Sequence, residues 1–331
     1  MEYSKIALAN NMANTAELTK EPQALIKLNK AIQSHIIGQK NLIESLLIGI
    51  LCDGHILIES MPGLAKTTAA KALAEGVDGN FHRIQFTPDL LPSDLIGTDV
   101  FNQATLEFTF KKGPIFQNIL LADEINRAPA KVQSALLEAM EEKQVTVGQA
   151  SYKLPDLFMV VATQNPIEQE GTYNLPEAQL DRFLMHVVLD YPTHDQELQI
   201  INLDKKPLLI EKTSQEEVLA ARNIIKNIYV DDKLKNYIIS IVQATRDPQL
   251  YSQDLAAWIN HGASPRASIA ALRCAQAYAW LYGEEYVLPE HIQAVLHNIL
   301  RHRISLSFEA QADGVSKDEV INSLLRLVAI P

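Results

Sequence analysis

The apolar run His55-Ile56-Leu57-Ile58 passes through Glu59-Ser60-Met61-Pro62-Gly63-Leu64-Ala65-Lys66-Thr67-Thr68 into a helix-compatible run, Ala69 to Gly76. No other stretch restricts the fold as tightly. A buried strand, a turn of small residues and a helix, in that order, aim successive backbone N–H groups and the positive end of the helix at one point, which makes a cradle for an anion. Lys66 would reach the terminal phosphates of a nucleotide and the Thr67 hydroxyl would ligate Mg²⁺, with Pro62, Gly63, Leu64, Ala65 and Thr68 completing the loop. The plainer alternative is a strand-turn-helix junction with an incidental Lys-Thr. Ser60 and Ala65 stand where the phosphate-binding pattern has glycine. At the start of the helix Ala65 is expected to need only ordinary helical dihedrals. Ser60 leaves the strand exit less free than glycine would.

Further short apolar runs alternate with helical periodicity. Strands are expected near His82 to Phe86, at Ile119 to Ala122, at Leu157 to Ala162 and at Met185 to Leu189; Ala130 to Glu142 reads as an amphipathic helix. A doubly wound α/β domain with a parallel sheet follows. Two segments, Thr105 to Phe110 before Lys111-Lys112-Gly113-Pro114 and Gln144 to Tyr152, alternate between turn residues and read as inserted hairpins. Thr15 to His35 has helical spacing, so residues 1–34 are expected to form a helical extension and 35–205 the α/β core. Beyond Tyr191-Pro192 no strand is expected; Lys205-Lys206-Pro207 reads as a linker, and 206–331 as a smaller all-α domain.

Composition narrows the function. The chain has 331 residues, 47% hydrophobic and 21% charged, the balance of an ordinary globular protein. Its apolar stretches fall short of the roughly 20 residues a membrane-spanning helix needs, and Met1 to Lys5 does not open a secretory signal, so a cytoplasmic protein is expected. A formal net charge of −11 argues against a nucleic-acid partner. Cys52 and Cys274 read as buried free thiols, and the nine histidines show no metal-ligand spacing.

Nucleotide hydrolysis needs a phosphate grip, a metal, an oriented water and compensation of transition-state charge. Asp123 and Glu124 end an apolar strand, where Asp123 would hold the Mg²⁺ shell through water and Glu124 would polarise the attacking water. Asn165 follows the next strand; its amide orients the water, or it is simply a turn. Arg182 offers a guanidinium to phosphate or a surface ion pair to Asp181 or Glu177. Arg266, after Ser264-Pro265, projects back to nucleotide or is an ordinary first-turn arginine. Ile37 and Gly38 either lie against an adenine ring or form a helix-helix turn.

Leu121-Ala122-Asp123-Glu124-Ile125-Asn126-Arg127-Ala128, Gln133 to Glu142, Ala162-Thr163-Gln164-Asn165-Pro166 and Leu175 to Phe183 together resemble the MoxR family of AAA+ ATPases, over residues 35 to about 310. In that family a Pro-Gly-Leu-Ala-Lys-Thr loop is usual, so Ala65 fits it while Ser60 remains a departure. The resemblance implies an AAA+ αβα core with a helical lid, ATP between them, and a homo-oligomeric ring, commonly a hexamer. It carries over Lys66 and Thr67 as Walker A, Asp123 and Glu124 as Walker B, and Asn165 as sensor 1. Arg182 becomes the arginine finger offered to the neighbouring subunit and Arg266 sensor 2, acting on its own subunit's phosphate. The implied activity is ATP hydrolysis coupled to chaperone-like remodelling of a protein client, with a von Willebrand factor A domain protein as a common partner and the segments around Leu95 to Phe110 and Val145 to Tyr152, which match the family's inserted hairpins, as contact points. A nucleic-acid motor, a magnesium-chelatase-like ATPase subunit and an assembly module without turnover are the alternatives.

Overall fold

A computed structural model describes residues 23–104, 106–166, 172–173, 175–203 and 212–331. The expected linker at Lys205-Lys206-Pro207 and most of the expected helical extension lie outside the described residues; Gln23–His35 is helical.

The centre is a five-stranded parallel sheet in the order β2-β5-β8-β1-β9. Its strands are β1 (Ile56–Ser60), β2 (Phe81–Gln85), β5 (Ile119–Asp123), β8 (Met159–Gln164) and β9 (Met185–Leu189). Alternate residues feed two separate cores, because successive side chains of a strand point to opposite faces. Ile56, Ile58, Leu121, Val161 and Val187 pack on one face with the helices Lys40–Leu51 and Lys66–Gly76. Leu57, Leu120, Ala122 and Val160 pack on the other with Val132, Leu136 and Leu137 of the helix Ala130–Glu142. Burial on both faces explains why these strands are apolar runs rather than alternating ones. Gly49 lets the first helix approach: a Cβ there would lie 2.8 Å from Met159 Cε.

Two hairpins project from this core, β3 (Gly97–Asn102) with β4 (Glu107–Lys112), and β6 (Gln144–Val147) with β7 (Ala150–Lys153). They touch through Phe110, stacked on Tyr152 with ring centroids 4.0 Å apart. Phe101, Leu106 and Phe108 on the first hairpin are exposed.

The rest of the chain is a helical lid whose main helices are Gln215–Ile225, Asp232–Arg246, Pro265–Leu281, Pro289–Leu300 and Lys317–Leu327. It also holds a short antiparallel ribbon, β10 (Ile259–His261) with β11 (Ser305–Leu306), which an all-α reading of this part lacks. Buried arginines join lid to core. Arg222 donates to Ile50 O at 2.8 Å and pairs with Asp53 at 2.9 Å. Arg303 donates to Asp181 Oδ1 at 2.7 Å and to the carbonyls of Phe183 and Leu184. Cys52 and Cys274 are buried free thiols. The helix His194–Ile201 follows β9 without having been expected, although Thr193 and Gln196 form a capping box at its start.

Candidate active site at the carboxyl edge of the sheet

In a parallel sheet all strands end on the same side, and loops leaving that edge converge. Pairing of Glu59 with Gln164, of Ser60 with Leu189 and of Ala122 with Ala162 places the ends of β1, β5, β8 and β9 together. The loop of residues 61–65, Asp123, Glu124 and Asn165 all leave from there.

The loop departs from the expected backbone at one position. Ala65, not a helical residue, sits in the left-handed region at φ 58° and ψ 18°, a conformation costing an L-residue about 1 kcal/mol or more. Gly63, at φ 86°, takes the other left-handed position at no steric cost. Ser60 is unstrained: it is the buried last residue of β1, and its hydroxyl donates to Met61 O at 3.1 Å. Glycine is therefore not required there. Leu64 is buried in the core beneath the loop, leaving only its backbone to face a ligand, whereas Pro62, Gly63 and Thr68 are exposed and Thr67 is half-buried.

Lys66 opens the helix Lys66–Gly76, which has no acidic residue in its first turn. Its ammonium rests on Ser60 O and Met61 O at 3.5 and 3.4 Å. Burial lowers its proton affinity, Asp123 and Glu124 oppose that shift, and Arg83 adds to it. A half-buried cation held by two long carbonyl contacts, beside a helix amino end, fits a polyphosphate.

Asp123 and Glu124 are held by side chains that strand-end spacing did not reveal. Arg83 of β2 donates to Asp123 Oδ2 from Nε at 3.0 Å and from Nη2 at 2.6 Å. The Thr163 hydroxyl donates to Asp123 Oδ1 at 2.6 Å and accepts the Glu124 N–H at 2.9 Å, so one hydroxyl orders both acids. Glu124 adopts φ 56° and ψ 52°. Its carboxylate accepts from Gln85 Nε2 at 2.6 Å and pairs with Arg127 Nε at 2.9 Å. Arg83 and Gln85 lie two apart on β2, hence on one face, and the only sequence signal for them is that alternation. Asn165 is buried just past β8.

Ile37 and Gly38 form a turn between two helices, with Gly38 at φ 81°. The turn abuts the segment after β9: a Cβ on Gly38 would lie 2.9 Å from Gln196 Oε1, and Gln39 Nε2 donates to Asp190 O at 3.5 Å. It thus borders the same edge as the phosphate loop.

Arg182 and Arg266 lie elsewhere. Ile56 pairs with Met185 and Ser60 with Leu189, so Arg182, three residues before β9, belongs to the opposite, amino edge. Four strand steps at roughly 3.3 Å put that edge about 13 Å from the phosphate loop, farther than an arginine side chain extends. Arg266 shares the location: Arg182 Nε meets Glu141 Oε2 at 3.0 Å and Arg266 Nη2 meets Glu141 Oε1 at 2.7 Å. The expectation that Arg266 acts on its own subunit's phosphate is therefore not met, because the lid presents its helix Pro265–Leu281 to the amino edge. The same geometry removes Arg182 from its own chain's phosphate.

The fold and these motifs have counterparts. Residues 55–185 match the ATPase family associated with various cellular activities (AAA), and residues 255–324 match the AAA lid domain. Chaperone MoxR1 of Mycobacterium tuberculosis is 44% identical over 95% of this chain and 84% of its own length. Protein MoxR of Paracoccus denitrificans is 33% identical over 84% and 87%. A crystal structure of a candidate ATPase from Cytophaga hutchinsonii superposes with a TM-score of 0.88 at 47% identity, covering 98% of this chain and 99% of that one. With an αβα core, a helical lid and relatives matched along most of its length, this chain belongs to the MoxR family of AAA+ ATPases.

Proposed function

We propose that the chain hydrolyses ATP at contacts between copies of itself and uses the reaction to remodel a protein client. The supporting observation is the division of the site: Lys66, Asp123, Glu124 and Asn165 share the carboxyl edge, while Arg182 and Arg266 occupy the amino edge about 13 Å away. Each copy then carries the grip for its own nucleotide and the arginines for its neighbour's.

On this reading the loop N–H groups and Lys66 hold the phosphates, and Ile37 and Gly38 border the base. Thr67 and Asp123 fit Mg²⁺, since a hydroxyl and a buried carboxylate are the oxygen donors a hard cation takes, Asp123 acting through a water. The bound metal supplies neutralisation of phosphate charge. Glu124, released from Gln85 and Arg127, accepts a proton from the attacking water, and Asn165 orients that water. Arg182 and Arg266 of the adjoining copy compensate the charge of the transition state, a contribution of the kind worth roughly 10³–10⁵ in rate where such an arginine has been removed.

The assembly we favour is a closed, hexameric ring in the cytoplasm, with residues 35–205 as the nucleotide-binding unit, 206–331 as the lid and 1–34 as an extension. The exposed Phe101, Leu106 and Phe108 of the β3–β4 hairpin are the surface offered to the client. A von Willebrand factor A domain protein is our choice of partner.

The test is steady-state turnover of Glu124→Gln in the presence of Mg²⁺. A fall of at least a hundredfold with nucleotide binding retained is expected. Near wild-type turnover would sink Glu124 as the base.

A further inference from the structure

Two arginines from different layers of the protein share one carboxylate. Arg182 comes from the turn before β9, Arg266 from the first turn of the lid helix Pro265–Leu281, and Glu141 from the last turn of Ala130–Glu142. With His55, Met140 and Asp181 they line a cavity of about 180 Å³.

The backbone around them is fixed by other bonds. Asp181 accepts from Ser264 Oγ at 2.8 Å and from the buried Arg303 Nε at 2.7 Å, which ties the Arg182 turn to the start of the Arg266 helix. His55 Nε2–H donates to Met140 O at 3.3 Å and locks the turn that carries Glu141. The guanidinium heads are less constrained. The Arg182 and Arg266 side chains are 32% and 49% exposed, and among the described residues Glu141 is the only acceptor either head meets. Each guanidinium has five N–H donors. Among the described residues most of these donors meet no acceptor, so the pair can receive a further anion while Glu141 keeps the two heads in register.

We infer that Glu141 is the positioning residue of the arginine pair. It pre-aligns the core and lid arginines as one double-cation site for the terminal phosphate of a neighbouring copy's nucleotide, and it competes with that phosphate for them. The inference rests on the intersubunit reading given above. Replacing the carboxylate with an amide has opposite consequences for the two states. The ground state loses a competitor and binds nucleotide more tightly, while the transition state loses the alignment of two donors, so KM and kcat fall together. A side chain that only supported the local fold would not produce that pattern.

The experiment uses full-length chains in mixed assemblies. A Lys66→Ala carrier lacks turnover of its own and contributes only its amino edge to a neighbour. Wild-type chains are mixed with an excess of this carrier, or of carriers that also bear Arg182→Ala or Glu141→Gln, and co-assembly is verified by size-exclusion chromatography. The Arg182→Ala carrier is expected to silence its neighbours at least tenfold; without that silencing the intersubunit reading itself fails. With silencing in place, the Glu141→Gln carrier is expected to lower both KM for ATP and kcat per wild-type chain by threefold or more. Values within twofold of the Lys66→Ala mixture, or a raised KM at constant kcat, would overturn the role of Glu141 and leave the intersubunit reading standing. Should the Glu141→Gln carrier not assemble, Glu141→Asp decides. Its shorter carboxylate keeps the charge but cannot span both heads, so kcat is expected to fall threefold with KM unchanged, and an unchanged kcat refutes the inference.

Discussion

Lowering the pH should destabilise the α/β core through one buried imidazole. His55 is buried at the start of β1; its Nδ1 accepts the Val160 N–H at 3.0 Å, its Nε2–H donates to Met140 O, and its ring meets Phe158 edge-on at 5.5 Å. Burial outweighs the favourable Met140 carbonyl and Asp53, and pushes the imidazole down to about 4. Protonation would also set a second N–H against the Val160 donor. In the unfolded chain the same ring titrates near 6.5. Above pH 6.5 it is neutral in both states and its contribution is complete; as pH falls from 6.5 toward 4, the unfolded chain takes up the proton first and stability is lost. From those two values the loss is about 1.4 kcal/mol at pH 5.5 and about 3.4 kcal/mol at the acid limit. NMR titration of the His55 ring in the folded protein should give an inflection near 4. A second measurement compares urea midpoints at pH 7.5 and 5.5 for wild type and His55→Gln, where the variant should lose about 1.4 kcal/mol less between the two conditions. The buried His302, which burial likewise holds low, cancels in that comparison. A folded-state inflection near 6.5, or identical pH dependence in both proteins, would refute the reasoning.

Ala65→Gly should relieve the left-handed strain in the phosphate loop and stabilise the protein by about 0.5–1 kcal/mol; an unchanged or lower urea midpoint would show that the backbone there is relaxed. Thr163→Val removes the hydroxyl that orders Asp123 and Glu124, so roughly a 10–100-fold loss of activity, with a raised Mg²⁺ requirement, is expected in a metal titration of turnover. Full activity would remove Thr163 from the site. Arg303→Met leaves Asp181 without its buried partner and should cost about 3–5 kcal/mol in chemical denaturation. A cost below about 1 kcal/mol would mean that Asp181 is satisfied in another way.

The sheet was legible because a parallel strand is buried on both faces: Ile119 to Ala122 and Met185 to Leu189 could hardly be read as anything else. Glu124 and Asn165 were legible for a related reason, as polar residues where an apolar run stops. Strand order is another matter. Nothing local to Phe81–Gln85 says that it lies beside β5, so Arg83 and Gln85 could not be assigned to Asp123 and Glu124 before the pairing was known. Arg266 shows the same limit on a larger scale. Its cap at Ser264 and its Pro265 are readable locally, but the edge it serves depends on the Asp181 and Arg303 contacts, which join residues more than a hundred positions apart. Ala65 failed for a smaller cause: its position at a helix start suggested helical dihedrals, whereas the turn needs a reversed hand one residue earlier.

The separation of grip and arginines across the sheet fixes an arithmetic for assembly under the intersubunit reading. An isolated copy possesses two unmatched halves and no complete reaction centre. A row of n copies completes n − 1 centres and leaves an idle half at each end, so specific activity climbs with length as (n − 1)/n. Closure joins the last two halves, and turnover per chain then becomes independent of concentration. Dilution below the closure point should therefore disclose the assembly by enzymology alone, as a downward break in rate per chain.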